Sequence, residues 1–315
     1  MKKLSKQAFE EIRIWIYRNA RQLEIELWQY YFENGSKENV LSALSLYQND
    51  DGGFGNTLEP DSWNPNSSHY TTMRAIDTLN DINFADKYHP IIEGIFKFIE
   101  SGIHSDEDGW LFSIPTNDIY PHAPWWTYDS EANKYENIGV SAGISCFILK
   151  FADKDSQIYQ KALTVASKLI DKLHAPGKYG EMGVGGYLDL KDMLFQLDMA
   201  DKFDLKFLSK TVKQLVNDSI ERDDTKWGLY GKKPSDFIKL PDSEFYIGNE
   251  EILQRELDYI IDIRTENGVW GITWSWFENN EKYPKEFAIS ENWWKAVIAI
   301  EKVRLLRNFG RIEIY

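Results

Sequence analysis

Gln48-Asn49-Asp50-Asp51-Gly52-Gly53-Phe54-Gly55 ends one helix and opens a long loop. Ahead of it, Leu41, Leu44 and Tyr47 recur at three-residue spacing, the signature of a helix with one dry face. Three glycines in four positions answer the backbone demands of a helix end, where a tight turn or a close approach tolerates no side chain. Phe54 is expected to plug the space between neighbouring helices. A phosphate-binding loop does not fit, because no strand precedes the glycines and no lysine follows at the needed place. Asp50 and Asp51 belong to the last helical turn and are expected to face solvent.

The same punctuation recurs down the chain. Asp108-Gly109-Trp110, Lys178-Tyr179-Gly180, Trp227-Gly228-Leu229-Tyr230 and Gly268-Val269-Trp270-Gly271 each follow a segment with apolar residues three and four apart. These segments read as outer helices starting near residues 4, 36, 87, 156, 204 and 248. After each loop comes a segment with small or apolar residues on more than one side, at 67–82, 137–151, 184–199 and 291–306, which reads as a helix buried all round. Residues 23–32 supply a further inner helix, and 235–246 a short or broken one, because Pro241 interrupts it. Six outer and six inner helices make six hairpins, and the N-terminal helix is needed beside the last inner one to close a ring. Repeats of this length build one continuous body. No Ser/Gly linker or low-complexity tract divides it, so residues 1–315 are read as a single all-α domain, an α/α toroid with inner and outer helix rings.

Composition narrows the function. A formal net charge of −14 repels a phosphate backbone, and no basic stripe is dense enough to overcome it, which excludes nucleic acid as partner. The most apolar stretch, residues 137–149, is shorter than the roughly 20 residues that a membrane helix needs. Met1-Lys2-Lys3-Leu4-Ser5-Lys6 runs into Glu10-Glu11 without the apolar core of a signal peptide. The lone Cys146 forms no disulfide within the chain and leaves a thiolate zinc site without material. These features point to the cytoplasm, to no resident metal or cofactor, and to a buried, unreactive thiol. The 12 Trp, 17 Tyr and 17 Phe exceed what core filling asks for and suit a concave site for a small molecule. Oligomeric state has no signature here.

The Gln48–Gly55 octet, followed by His69-Tyr70-Thr71-Thr72-Met73-Arg74-Ala75, resembles the repeat of the terpenoid cyclase and protein prenyltransferase β-subunit superfamily. The first repeat carries the likeness. Glu59-Pro60-Asp61 and Pro121-His122-Ala123-Pro124-Trp125-Trp126 resemble a bacterial group with the same repeat, to which no activity attaches. The resemblance implies an α/α toroid around a central cavity. It does not bring the superfamily's chemistry. Its zinc enzymes use an Asp-x-Cys element that is missing here, and its cyclases use Asp-x-Asp-Asp or Asp-Asp-x-x-Asp. Asp50-Asp51 continues as Gly52-Gly53-Phe54, and Asp223-Asp224 as Thr225-Lys226-Trp227.

In such a ring the loops entering the inner helices gather at one mouth, facing helix N-termini. Three are long, at 49–66, 102–136 and 265–290, and long loops in a compact fold are commonly functional. They hold the candidate catalytic residues Glu59, Asp61, His122 and Asp129. The candidate substrate-binding residues are Trp63, His69, Trp125, Trp126, Tyr128, Trp274, Trp276 and Trp293. Glu59, His122, Trp125, Trp126 and Trp276 are expected to line one cavity. Each also has a structural role open to it: helix entry or loop acceptor for the carboxylates, a satisfied core position for His69, interior packing for the indoles. Carboxylates with indole platforms suit sugars, so the leading expectation is acid–base chemistry on a small saccharide by a hydrolase or lyase, an inference by fold analogy. Glu59 would serve as acid and Asp61 or Asp129 as its partner. An isoprenoid cyclase-like or prenyltransferase-like enzyme and a non-catalytic binding toroid are the alternatives.

Overall fold

The computed structural model describes residues 1–265 and 268–313. In chain order the helices are α1 (Lys6–Asn19), α2 (Gln22–Phe32), α3 (Lys37–Ser45), α4 (His69–Asp81), α5 (Pro90–Glu100), α6 (Ser130–Phe151) and α7 (Gln157–Lys172). Then come α8 (Gly183–Gln196), α9 (Leu205–Ser219), α10 (Pro234–Phe237), α11 (Glu250–Asp262), α12 (Asn279–Lys282) and α13 (Pro284–Asn308). The only strands among the described residues are Ser105–Asp106 and Gly109–Trp110, a two-residue hairpin. The fold is all-α, as the periodicity predicts. No helix among the described residues is long and apolar enough to cross a membrane.

The chain divides into two compact units, one of Met1–Leu44 with Asn217–Tyr315, the other of Ser45–Val216. In the first unit α1 and α2 pack on each other and both on α13. Ser5 caps α1 by accepting from the Ala8 amide, and Ala8, Phe9, Ile12 and Ile16 form its buried stripe. Leu4 pairs with Ile312: its amide donates to the Arg311 carbonyl at 2.8 Å, and its carbonyl accepts from the Glu313 amide at 3.0 Å. The N-terminal hairpin thus lies beside the last long helix.

In the second unit α4, α6 and α8 lie side by side, with α7 against α6. Helices α5 and α7 bury one stripe each, Ile91, Ile92, Ile95, Phe98 and Ile99 in the former. Along α6, Ile138, Gly139, Val140, Ser141 and Ala142 are buried in unbroken succession, so no side of the helix is left to water.

Three boundaries differ from the sequence reading. Helix α6 begins at Ser130 rather than 137, and α13 at Pro284 rather than 291, because both open with polar turns that hide the start of the apolar pattern. Helix α10 is a single turn ending four residues before Pro241, the residue expected to break it. Residues 266–267 of the third long loop lie outside the described residues.

Four of the five Gly/aromatic turns bury their ring, while Tyr179 in the fifth is half-buried. Phe54, Trp110, Trp227 and Trp270 are all buried, and the indole N–H groups of Trp227 and Trp270 donate to the carbonyls of Glu221 at 2.9 Å and Ile260 at 2.7 Å. Each of these two indoles is thereby tied to the end of the helix before it. Around Phe54 the seal is polar: Gln48 donates to the carbonyls of Gly52 and Ile91, while Asp51 accepts from the Gly53 amide at 2.9 Å and the Ser67 hydroxyl at 2.7 Å. Helix α3 ends at Ser45, so Asp50 and Asp51 lie in the turn beyond it and not in its last turn; Asp51 is solvent-exposed as expected, yet its carboxylate ties the loop to its own exit.

Candidate functional site

The second unit brings the first two long loops together. Residues 59–63 and 121–123 run antiparallel: Trp63 donates to the Pro121 carbonyl at 2.9 Å, Ala123 donates to the Asp61 carbonyl at 2.9 Å, and Ser62 faces His122. Asn64 extends the zipper to Thr116 and Asn117, both at 2.8 Å, and Asn117 donates on to the Trp126 carbonyl. Glu59, Asp61, His122 and Trp126 therefore share one loop assembly, and all four are buried.

Their surroundings differ. Glu59 lies 3.9 Å from the guanidinium Nε of Arg74 on α4. The backbone of Asp61 is held in the zipper, and its amide points at a Glu59 carboxylate oxygen. His122 is fixed at both nitrogens: Nδ1 donates to the Tyr120 carbonyl at 2.6 Å, which leaves Nε2 to accept from the Thr127 hydroxyl at 3.0 Å. Trp126 stacks on Phe112 at 4.7 Å and tilts against Tyr70 at 4.2 Å. Trp125 and Trp126, neighbours in sequence, turn opposite ways, and only Trp125 shows its ring to solvent. Trp63 and Tyr128 are half-buried, and the Tyr128 amide donates to Asp118.

Two predicted site residues are committed to local structure. Asp129 is the N-cap of α6, accepting from the amides of Glu131 at 2.8 Å and Ala132 at 3.2 Å. His69 has no exposed surface with which to meet a ligand. Its Nε2 donates to the Ile103 carbonyl at 2.7 Å, and its ring packs on Phe98 at 4.7 Å. Burial lowers the His69 pKa to about 4, the Ile103 bond opposing the shift. The unfolded chain then binds more protons than the folded one below about pH 6.5, so stability falls with pH from there to about 4. We expect this residue to contribute about 3 kcal/mol to that loss, and urea titrations of His69→Phe at pH 7 and pH 4.5 to show a smaller difference than the parent chain.

Trp274, Trp276 and Trp293 belong to the first unit. Trp276 is fully buried against Phe287, while Trp274 is half-buried and edge-on to Trp294 at 5.2 Å. The two rings thus have separate partners instead of forming one platform. Trp293, on α13, carries the Arg21 guanidinium 5.1 Å above its ring.

A second set of charged groups escaped the sequence reading because it sits on helices, not loops. One turn beyond Arg74, half-buried Asp77 has its pKa raised to about 6 by desolvation, with Arg74 opposing and Asp81 adding. On α8, Asp189 is raised to about 7 by desolvation, then by the negative charges of Asp77 and Asp192. Asp189 keeps access to solvent. The intervening helix α6 offers buried Cys146, whose thiol is pushed well up by burial, then by Asp189, Asp192 and Asp77. Arg74 thus acts on both Glu59 and Asp77, and Asp77 in turn acts on Asp189 of α8. The only sequence signal was a lone acid inside an apolar run, Asp77 after Ile76 and Asp189 between Leu188 and Leu190.

Among the described residues no three His, Cys, Asp or Glu side chains converge to hold a metal ion. A cavity of about 460 Å³ beside residues 200–206 is walled by that one loop and includes none of the candidate residues. Comparison with protein-family models, curated proteins and solved structures finds no match to this chain.

Proposed function

We propose that this chain is a cytoplasmic α/α toroid that performs acid–base chemistry on a small saccharide, with Asp189 as proton donor and Asp77 as its ionised partner. One observation carries the reading: two carboxyls on inner helices of the same unit, close enough for one charge to act on the other, are both raised by desolvation, and only Asp77 has a cation, Arg74, that favours its ionised form. Cleavage of a glycosidic bond by two carboxyls requires such a division between a protonated acid and an ionised base. Arg74 supports the division by favouring the ionised form of Asp77, and Glu59 beside Arg74 holds that guanidinium in place. The acid role thereby moves from Glu59, which has a cation at hand, to Asp189. The partner role moves away from Asp129, whose carboxylate is occupied by the start of α6. Trp125, the open ring of the loop assembly, suits the C–H face of a sugar. The net charge of −14 fits a neutral saccharide better than a nucleic acid or a diphosphate.

The test is a thermal-shift screen of neutral sugars, sugar acids and prenyl diphosphates. A ligand at 100 times its dissociation constant stabilises by about 2.7 kcal/mol. We expect a rise in Tm with a saccharide, reduced in Asp77→Asn. Stabilisation by prenyl diphosphates alone would overturn the proposal.

A further inference from the structure

In the first unit, Lys302 on α13 places its Nζ 5.4 Å above the indole of Trp270. It is half-buried, and no hydrogen bond or ion pair joins its ammonium to any described residue. The ring beneath it is held rigidly: Trp270 is buried and donates to the Ile260 carbonyl. The acid of α11 whose charge acts on it, Glu256, is itself buried and already occupied, accepting from the Ser235 amide at 2.7 Å and the Ser235 hydroxyl at 2.6 Å. Lys233 and Asp236 act on Lys302 from the α10 turn, and Glu301 from its own helix.

We propose that Lys302 is a site of covalent imine formation with small aldehydes. The amine lone pair attacks the carbonyl carbon to give a carbinolamine. Water then leaves with the carbonyl oxygen, and the C=N nitrogen takes up a proton as an iminium ion. The site favours this product over the ammonium it replaces. An ammonium is compact and strongly hydrated, so desolvation penalises it heavily. The iminium spreads its charge and keeps the attraction to the indole face. Consistent with this, burial lowers the Lys302 pKa to about 8, Lys233 adding to the shift while Glu256, Glu301 and Asp236 oppose it. At pH 7.5 that leaves about a hundredfold more free amine than an ordinary lysine has. A less basic amine is also a weaker nucleophile, which returns about tenfold of this gain.

The proposal is tested on the full chain with limiting acetaldehyde and cyanoborohydride at pH 7.5, locating ethylated lysines by peptide mass mapping. Lys302 should be alkylated about tenfold faster than the median lysine, with a half-maximal rate near pH 8. Lys302→Arg should abolish that fast phase at unchanged Tm. Glu256→Gln removes a negative charge that favours the ammonium, and should shift the half-maximum to lower pH. Alkylation of Lys302 at or below the median rate, or only after unfolding in urea, would overturn it.

Discussion

Gly52→Ala should unfold the chain or destabilise it by more than about 4 kcal/mol in urea titrations, whereas Gly102→Ala should lose only about 1 kcal/mol. Both residues sit at positive φ, +90° and +72°, where a Cβ is strained by about 1 to 2 kcal/mol. They differ in their neighbours. A Cβ on Gly52 would lie 2.6 Å from the Gly94 carbonyl carbon, 2.8 Å from the Gly94 Cα and closer still to its oxygen, all backbone atoms of α5. A Cβ on Gly102 meets nothing within 4 Å. Backbone packed in a helix cannot yield as a side-chain tip does, so the Gly52 turn would have to leave α5. It would take with it the Gln48 and Asp51 hydrogen bonds and the Phe54 seal. Equal losses for the two variants would show that φ strain alone, and no close approach, fixes glycine in the turn.

Asp189→Asn should lower kcat on the saccharide found by the thermal-shift screen by about 10²- to 10⁴-fold, the usual range for removing a general acid. Its effect on stability should have the opposite sign. With the folded-state pKa raised from 3.8 to about 7, the native chain binds more protons than the unfolded one across that window, so ionisation of Asp189 erodes stability as pH rises through it. Asparagine has no such ionisation. Tm of the variant at pH 8 should therefore equal or exceed that of the parent chain. A carboxyl that served only the fold would show the reverse, lower Tm with turnover retained by the folded fraction. Asp129→Asn is the contrasting case, since the α6 cap is kept by an asparagine and neither quantity should move much.

Most of the helical frame was legible in the sequence because a helix is a local object. Ile91, Ile92, Ile95, Phe98 and Ile99 declare the buried face of α5 from within a single segment. Gly52 and Phe54 declare the end of α3's repeat from their chemistry alone. The first two turns of α6 and α13 were illegible because polar residues carry no apolar period, and only packing extends those helices backward to Asp129 and Tyr283.

The candidate site divides the same way. Aromatic and acidic loops were visible as loops, and Glu59, Asp61, His122 and Trp126 do meet in one assembly. Which loop residues remain for chemistry was invisible, since capping by Asp129 and enclosure of His69 depend on where neighbouring segments fall. Asp77 and Asp189 passed unnoticed because the desolvation that raises each comes from neighbouring helices, and Asp189 also feels the charge of Asp77 across α6. By itself the sequence determined helix positions, the all-α class and the sealing turns, since each is set by residues within a few positions of one another. The tertiary structure alone decided which acids feel each other's charge and which amine lies against an indole. Desolvation and Coulomb energy depend on distance through space, and separation along the chain does not encode it.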